Sequence, residues 1–445
     1  MDDLLIRNVD ILQTGNGQVH IETNQDITIL GSHISSITAS GAGLKPAPTS
    51  REVIEARGQL AIPGLMNTHA HVPMVLFRGM VEDVTVTSWF NDHIWPLETN
   101  LTPEDVYWGA MLGMAEMIDN GVTSVADHYF DMDEIALAVE QSGMRANLSW
   151  AVFAHEGQAK LDRTCEFVQR WQGKADGRIS AWLGPHSPYT TTPEFLKLSA
   201  QRAKELGTGI HIHVSETQAQ VALNLSQYGM TPVQLLEETG VFEVPTILGH
   251  CRFPSAEDLL LMAKRNTGVA HAPKTYMKLG EVEVPLKQYI GAGIPVGLAT
   301  DGAASSNTLD ILEQLRIMVL AQKTAAQDPT YMTVAEALEI AFRGSARVLQ
   351  HTEDLGAIEK DHLADIVLLR QDSPHNFPRF NPAANLIYST NASDVDTVIC
   401  NGKILKRGGR LLTIDLPEVK RQITERLGRL SQRVPGRQMA TYPTV

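Results

Sequence analysis

Apolar and polar positions change rhythm along this chain, and the changes divide it into an outer part and a middle. The first sixty residues alternate in short runs, LLIRNVDIL, DITIL, HISSITA and EVIEA, separated by turn residues. Period-two alternation of this kind predicts strands of a small antiparallel sheet. The segment GAGLKPAPTS reads as a loop, because Gly, Pro and Ser cluster there without periodicity. Alternating runs return near the end in LADIVLLR, DTVICNGKILKRGGR and LLTID, so the two ends are expected to form one β-rich unit together.

Between them lie eight short apolar runs: LAIPGLMNTHAH, TSVADHYF, RANLSWAVF, ISAWLGPHS, GIHIHVSE, PTILGHC, TGVAHAP and IPVGLATDG. Helix-like stretches such as PEDVYWGAMLGMAEMIDNG and PEFLKLSAQRAKELG separate them, each starting at Thr-Pro with acidic residues in its first turn and ending at Gly. Continuous apolar strands joined by helices predict a parallel sheet covered on both faces, and eight of them close a (β/α)8 TIM-like barrel. An open doubly wound sheet is the alternative. The expected division of this α/β chain is residues 1–62 as the N-terminal part of a small composite β-sandwich, 63–357 as a metal-dependent barrel, and 358–445 as the C-terminal part of the sandwich plus a terminal helix.

Composition narrows the setting. A formal net charge of −14 argues against nucleic acid or an anionic membrane surface as partner, because phosphate recognition needs clustered Lys and Arg. No stretch approaches the length of apolar sequence that a membrane span requires. The opening MDDLLIRNVDIL reads as neither a basic leader nor a signal peptide. Three widely spaced cysteines do not suggest a disulfide framework, so a reducing, cytoplasmic location is expected. Cys251, beside His250, is expected to be a small buried residue rather than a nucleophile.

Candidate chemistry gathers where the apolar runs end: His69 and His71, Asp127 and His128, His186, His213 and Glu216, His250, His271, Asp301. In a barrel those ends form the active-site rim. A His-x-His pair alone is weak, since roughly half a match is expected by chance from 15 histidines. NTHAH gains weight by following an apolar strand that ends in Pro-Gly, and ATDGAA would place Asp301 beside it if the barrel closes. Two histidines, a third from the fifth strand and an aspartate suit zinc or iron(II). His211 would complete a shell with no room for water. Strand geometry separates residues two apart by about 6.6 Å, which sets His213 at the rim and His211 deeper.

NTHAH, HVSE, LGHC and LATDG occur in the order found in the amidohydrolase superfamily, in its mononuclear branch. VEDVTVTSWFNDHIWPLE, LGPHSPYT, DGAASSNTLDILEQLR and NASDVDTVICNGKIL resemble the 5-methylthioadenosine/S-adenosylhomocysteine deaminases. The resemblance runs over nearly the whole chain. It implies His69, His71, His213 and Asp301 as ligands of one divalent metal per subunit, zinc first and iron(II) second. It implies Glu216, His250 and Asp301 as the catalytic groups: Asp301 takes a proton from water, Glu216 protonates the ring nitrogen and helps ammonia leave, and His250 holds the water or the developing oxygen. His186 and Glu98 match positions that contact the purine and the ribose hydroxyls. The activity implied is hydrolytic deamination of a 6-aminopurine nucleoside (5'-methylthioadenosine, S-adenosylhomocysteine or adenosine) to the inosine analogue. A homo-oligomer, dimer or tetramer, is the family expectation.

One segment departs from that pattern. HAPKTYMKLG stands where the subgroup reads like His-Asn-Pro followed by Ser-Asn-Met-Lys-Leu, so Ala272 and Tyr276 replace two amides. A phenol offers one donor and a stacking face where an amide donates and accepts. Tyr276 is therefore expected to touch the substrate differently, and guanine, a pterin, a pyrimidine or a substituted triazine are the alternative substrates. A non-catalytic amidohydrolase-like scaffold is the remote alternative. Arg145, which opens the third run, is a further candidate for substrate contact.

Overall fold

The structure is a computed structural model, and it describes residues 4–41, 52–281, 284, 286–432, 439 and 441–442. The Gly/Pro/Ser segment expected as a loop lies, beyond Gly41, outside the described residues.

Strands from both ends of the chain build one mixed sheet. Its central seam pairs Gln59–Pro63 antiparallel with Ile366–Arg370; Leu4–Gly15, Gln18–Leu30 and His33–Ala39 follow on one side, and Val395–Cys400, Lys403–Arg407 and Arg410–Leu411 on the other. Period-two alternation explains how this sheet serves two cores. Ala61, Ile366 and Leu368 face an Ile-rich core shared with Ile6, Ile11, Ile27 and Ile29, while Leu60, Ile62, Val367 and Leu369 join the core of the barrel. Gly64 is the passage between the two sheets. A Cβ there would lie 2.2 Å from Thr123 Oγ1, so only glycine allows the chain to cross so close to the next strand.

The barrel strands are β1 (Leu65–His71), β2 (Val122–Tyr129), β3 (Arg145–Val152), β4 (Ile179–Pro185), β5 (Ile210–Val214), β6 (Thr246–His250), β7 (Thr267–His271) and β8, which comes in two lengths, Val296–Leu298 and Asp301–Gly302. All neighbouring pairs are parallel. The eight runs read from sequence are these eight strands. Closure falls to β8: its first length pairs with β7, and its second pairs with β1 in the register Asp301–Ala70 and Gly302–His71. Side chains reinforce the seam. Thr68 Oγ1 donates to the Leu298 carbonyl at 2.9 Å, and Asn67 Oδ1 accepts from the Thr300 amide at 3.0 Å.

Both helices anticipated from Thr-Pro starts are present as Pro103–Asp119 and Pro193–Leu206, capped by the side chains of Thr102 and Thr192. The second ends at Gly207 in the left-handed conformation. Helix Leu416–Leu430 packs along Pro103–Asp119, with Arg429 paired to Asp105. Among the described residues no helix is long and apolar enough to cross a membrane.

Arg145 corrects an expectation. It opens β3, so it sits at the end of the barrel opposite the rim, roughly 23 Å of strand away. Its side chain is 4% exposed and pairs with Asp365 at 3.2 Å and with Asn401 Oδ1 at 3.1 Å. Asp365 also accepts from the Asn401 amide at 2.7 Å. Arg145 therefore fastens the barrel floor to the terminal sheet and does not reach the pocket.

Candidate active site and metal centre

At the rim, the ends of β1, β5 and β8 bring three imidazole nitrogens and a carboxylate oxygen together. His71 Nε2 lies 3.2 Å from His213 Nε2 and 3.3 Å from Asp301 Oδ1, and His69 Nε2 lies 3.7 Å from the same oxygen. Each imidazole is engaged at its other nitrogen. His71 Nδ1 faces the His128 carbonyl at 2.5 Å, His213 Nδ1 faces the His186 carbonyl at 3.0 Å, and His69 Nδ1 faces His211 Nε2 at 2.8 Å. The two carbonyl partners place the hydrogens of His71 and His213 on Nδ1 and turn their Nε2 atoms to the centre, the arrangement that metal-binding imidazoles adopt. His69 Nε2 is buried and has no hydrogen-bond partner. A buried orphan nitrogen aimed at a carboxylate and two more imidazoles is costly unless something fills the space, and a divalent metal fits this donor set. His211 lies beneath His69, as its depth on β5 suggested.

Tight packing makes the convergence fit. A Cβ on Gly249 would come within 3.3 Å of His69 and 3.5 Å of His213, so glycine on β6 leaves room for both rings. The backbone is strained at this rim. Ser215, His250, Cys251 and Asp301 all have left-handed φ, at 47°, 72°, 43° and 61°. Non-glycine residues there cost of order 1–3 kcal/mol each and persist where the surroundings enforce them. At Asp301 the break in β8 turns the carboxylate inward, and Ser305 Oγ donates to its Oδ2 at 2.7 Å.

Around this centre opens a cleft lined by His71, Glu98, His186, His213, Glu216 and Asp301, with about 820 Å³ of empty space when the open mouth and its solvent are included. Glu216 lines it with a buried carboxyl. Burial raises its pKa to about 8, helped by the negative charge of Asp301. Gln220 brackets Glu216, its Oε1 accepting from the Glu216 amide at 2.9 Å and its Nε2 donating to Oε2 at 3.3 Å. Arg252 donates to the Glu216 carbonyl at 2.8 Å. His250 also faces the cleft, and burial lowers its pKa to about 3, keeping the ring neutral.

Glu98, His186 and Tyr276 line the same cleft. Glu98 arrives there because Trp89–Ile94 forms a π-helical turn that runs directly into Trp95–Glu98. Burial raises its pKa to about 7. His186 stacks on Phe153 with ring centroids 4.6 Å apart, and burial lowers its pKa to about 3. Tyr276 is 3% exposed, and its hydroxyl accepts from the Ala272 amide at 3.1 Å and lies 3.3 Å from His250 Nδ1. Its hydroxyl is thus turned to His250, which the substitution pattern alone did not indicate. Asp127, at the end of β2, accepts from the Val72 amide at 2.9 Å and supports the turn after β1. Cys251 is fully buried, and burial pushes its thiol up to about 12, an inert group.

Sequence reasoning missed Gln220, Ser305, Arg252 and Tyr442. Gln220 and Ser305 stand four residues beyond Glu216 and Asp301, at starts of helical turns, and that spacing was a usable signal. Nothing in the pattern of the carboxy-terminal segment points to Tyr442.

Known proteins resemble this arrangement throughout its length. Residues 60–405 match the amidohydrolase family. A 5-methylthioadenosine/S-adenosylhomocysteine deaminase of Desulforudis audaxviator is 41% identical over 97% of this chain and 100% of its own. One of the same name from Pelotomaculum thermopropionicum is 39% identical over 97% and 100%. Among solved structures, an adenosine deaminase from Xanthomonas campestris with bound zinc superposes with a TM-score of 0.90 at 27% identity, over 96% of this chain and 98% of that one. An atrazine chlorohydrolase from Arthrobacter aurescens complexed with zinc gives 0.85 at 26%, over 95% and 100%.

Proposed function

This chain belongs to the amidohydrolase family, and from that premise we propose that its rim cleft is the active site of a metal-dependent aminohydrolase acting on 5'-methylthioadenosine and S-adenosylhomocysteine. The observation that carries the reading is the meeting of three imidazole Nε2 atoms and one carboxylate beside a protonatable buried Glu216. His69, His71, His213 and Asp301 hold one divalent metal, and zinc is the ion that nitrogen-rich coordination and the zinc-bearing structural relatives favour. When bound, such an ion lowers the pKa of water toward neutrality and so supplies a nucleophile.

The chain's own groups carry the protons. Asp301 takes a proton from the attacking water as it adds to the ring carbon bearing the amino group. Ser305 holds the far oxygen of that carboxylate and so fixes which lone pair faces the water. Glu216, kept protonated by burial, gives its proton to the adjacent ring nitrogen, which is what lets an aromatic ring accept a nucleophile. Neutral His250 donates from Nε2 to the developing oxygen, and the Tyr276 hydroxyl at Nδ1 selects that tautomer. As ammonia departs, one of the two protons of the former water, the one on the oxygen, passes through Glu216 to the leaving nitrogen, and the one held by Asp301 returns to Glu216, so both carboxyl groups end as they began. Glu98 accepts from the ribose hydroxyls, and His186 contacts the purine.

The test is direct. Zinc-loaded protein is incubated with methylthioadenosine, adenosylhomocysteine and adenosine while adenine absorbance is followed. Conversion to the inosine analogue with ammonia release is expected for the first two. No turnover of any of the three overturns the reading, and faster turnover of guanine, a pterin, a pyrimidine or a triazine in a parallel panel replaces the substrate.

A further inference from the structure

Tyr442 belongs to the carboxy-terminal segment, yet it is 2% exposed and lines the active-site cleft. Its ring stacks on Phe90 with centroids 4.6 Å apart and planes 7° from parallel, and the edge of Tyr189 closes on it at 5.4 Å. Its backbone is held on both sides by one residue: the Tyr442 amide donates to Asn91 Oδ1 at 2.8 Å, and Asn91 Nδ2 donates to the Tyr442 carbonyl at 3.1 Å. Such a paired amide clamp resembles a rung of β-sheet and fixes register as well as position.

The hydroxyl completes a chain of hydrogen bonds to the catalytic acid. Gln220 Nε2 donates one hydrogen to Glu216 Oε2 at 3.3 Å and the other to Tyr442 Oη at 3.2 Å. Tyr442 Oη in turn donates to Thr217 Oγ1 at 3.4 Å, the side chain that caps helix Gln218–Tyr228. Both hydrogens of the Gln220 amide are thereby used, and Gln220 is itself 4% exposed. Gln220 Oε1 also accepts from the Glu216 amide, which sets the way the side chain faces, so losing the Tyr442 acceptor leaves a buried hydrogen unpaired and loosens the hold on the Glu216 carboxyl.

We propose that Tyr442 is a positioning residue for the deamination step, forming an aromatic wall of the cleft and holding, through Gln220, the Glu216 carboxyl that moves the protons. This rests on the role given to Glu216 above. The two parts separate experimentally. Tyr442→Phe keeps the ring and its stack but removes the acceptor for Gln220; Tyr442→Ala removes both.

Steady-state kinetics on methylthioadenosine are measured for zinc-loaded wild type and both variants at matched zinc content and folded fraction. Tyr442→Phe is expected to lower kcat roughly tenfold, the scale of one lost buried hydrogen bond, with KM changed less than about twofold. Tyr442→Ala is expected to show the same loss in kcat and a KM raised by about tenfold. Added 4-methylphenol should restore its kcat saturably, and toluene, which lacks the hydroxyl, should not. A merely structural role would give no such rescue. Variants that match an active wild type in both constants overturn this inference alone, as does a Tyr442→Ala loss that neither additive alters. An inert wild type overturns the functional reading and this inference with it.

Discussion

Two buried polar clusters occupy opposite ends of the barrel, and their difference separates structure from chemistry. At the floor, Arg145 and Asp365 are 4% and 2% exposed, and they pair with each other and with Asn401. At the rim, His69, His213 and Asp301 are buried to a similar degree, but His69 Nε2, which faces Asp301, has no hydrogen-bond partner. Depth of burial does not distinguish the two. What distinguishes them is completion: the floor satisfies its own charge, whereas the rim engages His69, His71 and His213 at Nδ1 and turns their Nε2 atoms toward one shared space.

The largest effect expected from breaking this contrast is at Glu216. Glu216→Gln should reduce kcat by about 10³-fold, within the range for general acid–base groups, with zinc content and thermal midpoint unchanged. Survival of activity would remove Glu216 from the proton transfers. Arg145→Ala should do the reverse, destabilising the fold by about 3–5 kcal/mol because it strands the Asp365 charge, while kcat of the folded fraction stays the same. Urea unfolding followed by far-UV dichroism measures the first quantity, and a loss of turnover without loss of stability would place Arg145 in the chemistry after all.

Titration sharpens the comparison further. In metal-free protein, burial opposes a charge on His71, but the Asp301 carboxylate prevails and raises its pKa to about 9. Protonated His71 therefore stabilises the metal-free fold fully below its ordinary 6.5, and that contribution is lost as pH rises through about 9. Glu216, raised to about 8, acts in the same sense. The metal-free thermal midpoint should fall across this window, by the equivalent of on the order of 3–5 kcal/mol for the two groups together. Zinc-loaded protein, where the metal replaces the His71 proton, should fall less, and identical slopes would argue that zinc binds elsewhere. The smallest effect is expected at Tyr276. Tyr276→Phe should lower kcat about tenfold, or 1.4 kcal/mol, with KM nearly constant. A change in KM alone would return Tyr276 to the role of a substrate contact.

Much of the contrast is legible in the amino-acid sequence. Strands buried on both faces read as apolar runs, so all eight barrel strands stood out, and titratable residues marked the ends that face the cleft. His211 and His213 could be ordered by depth because a strand has a fixed rise. Arg145 misled because its position at the start of a run shows which end of the barrel it occupies only after β3 is placed. Its partners, Asp365 and Asn401, come from the terminal sheet. Tyr276 stands out in the sequence as a replaced amide, but the neighbour it serves, His250, comes from another strand. Tyr442 had no legible signal, since its position depends on Asn91 and Gln220 rather than on any periodicity around it.

The closing seam between β8 and β1 also has a consequence in time. His69 and His71 leave the ribosome long before His213, and Asp301 comes last of the four. Until β8 has emerged and paired with Ala70 and His71, a nascent chain offers two or three imidazoles without the carboxylate that gathers them. The four side chains meet only on a barrel whose final strand has been made and paired, so the site is a late product of synthesis although its first two residues are made early.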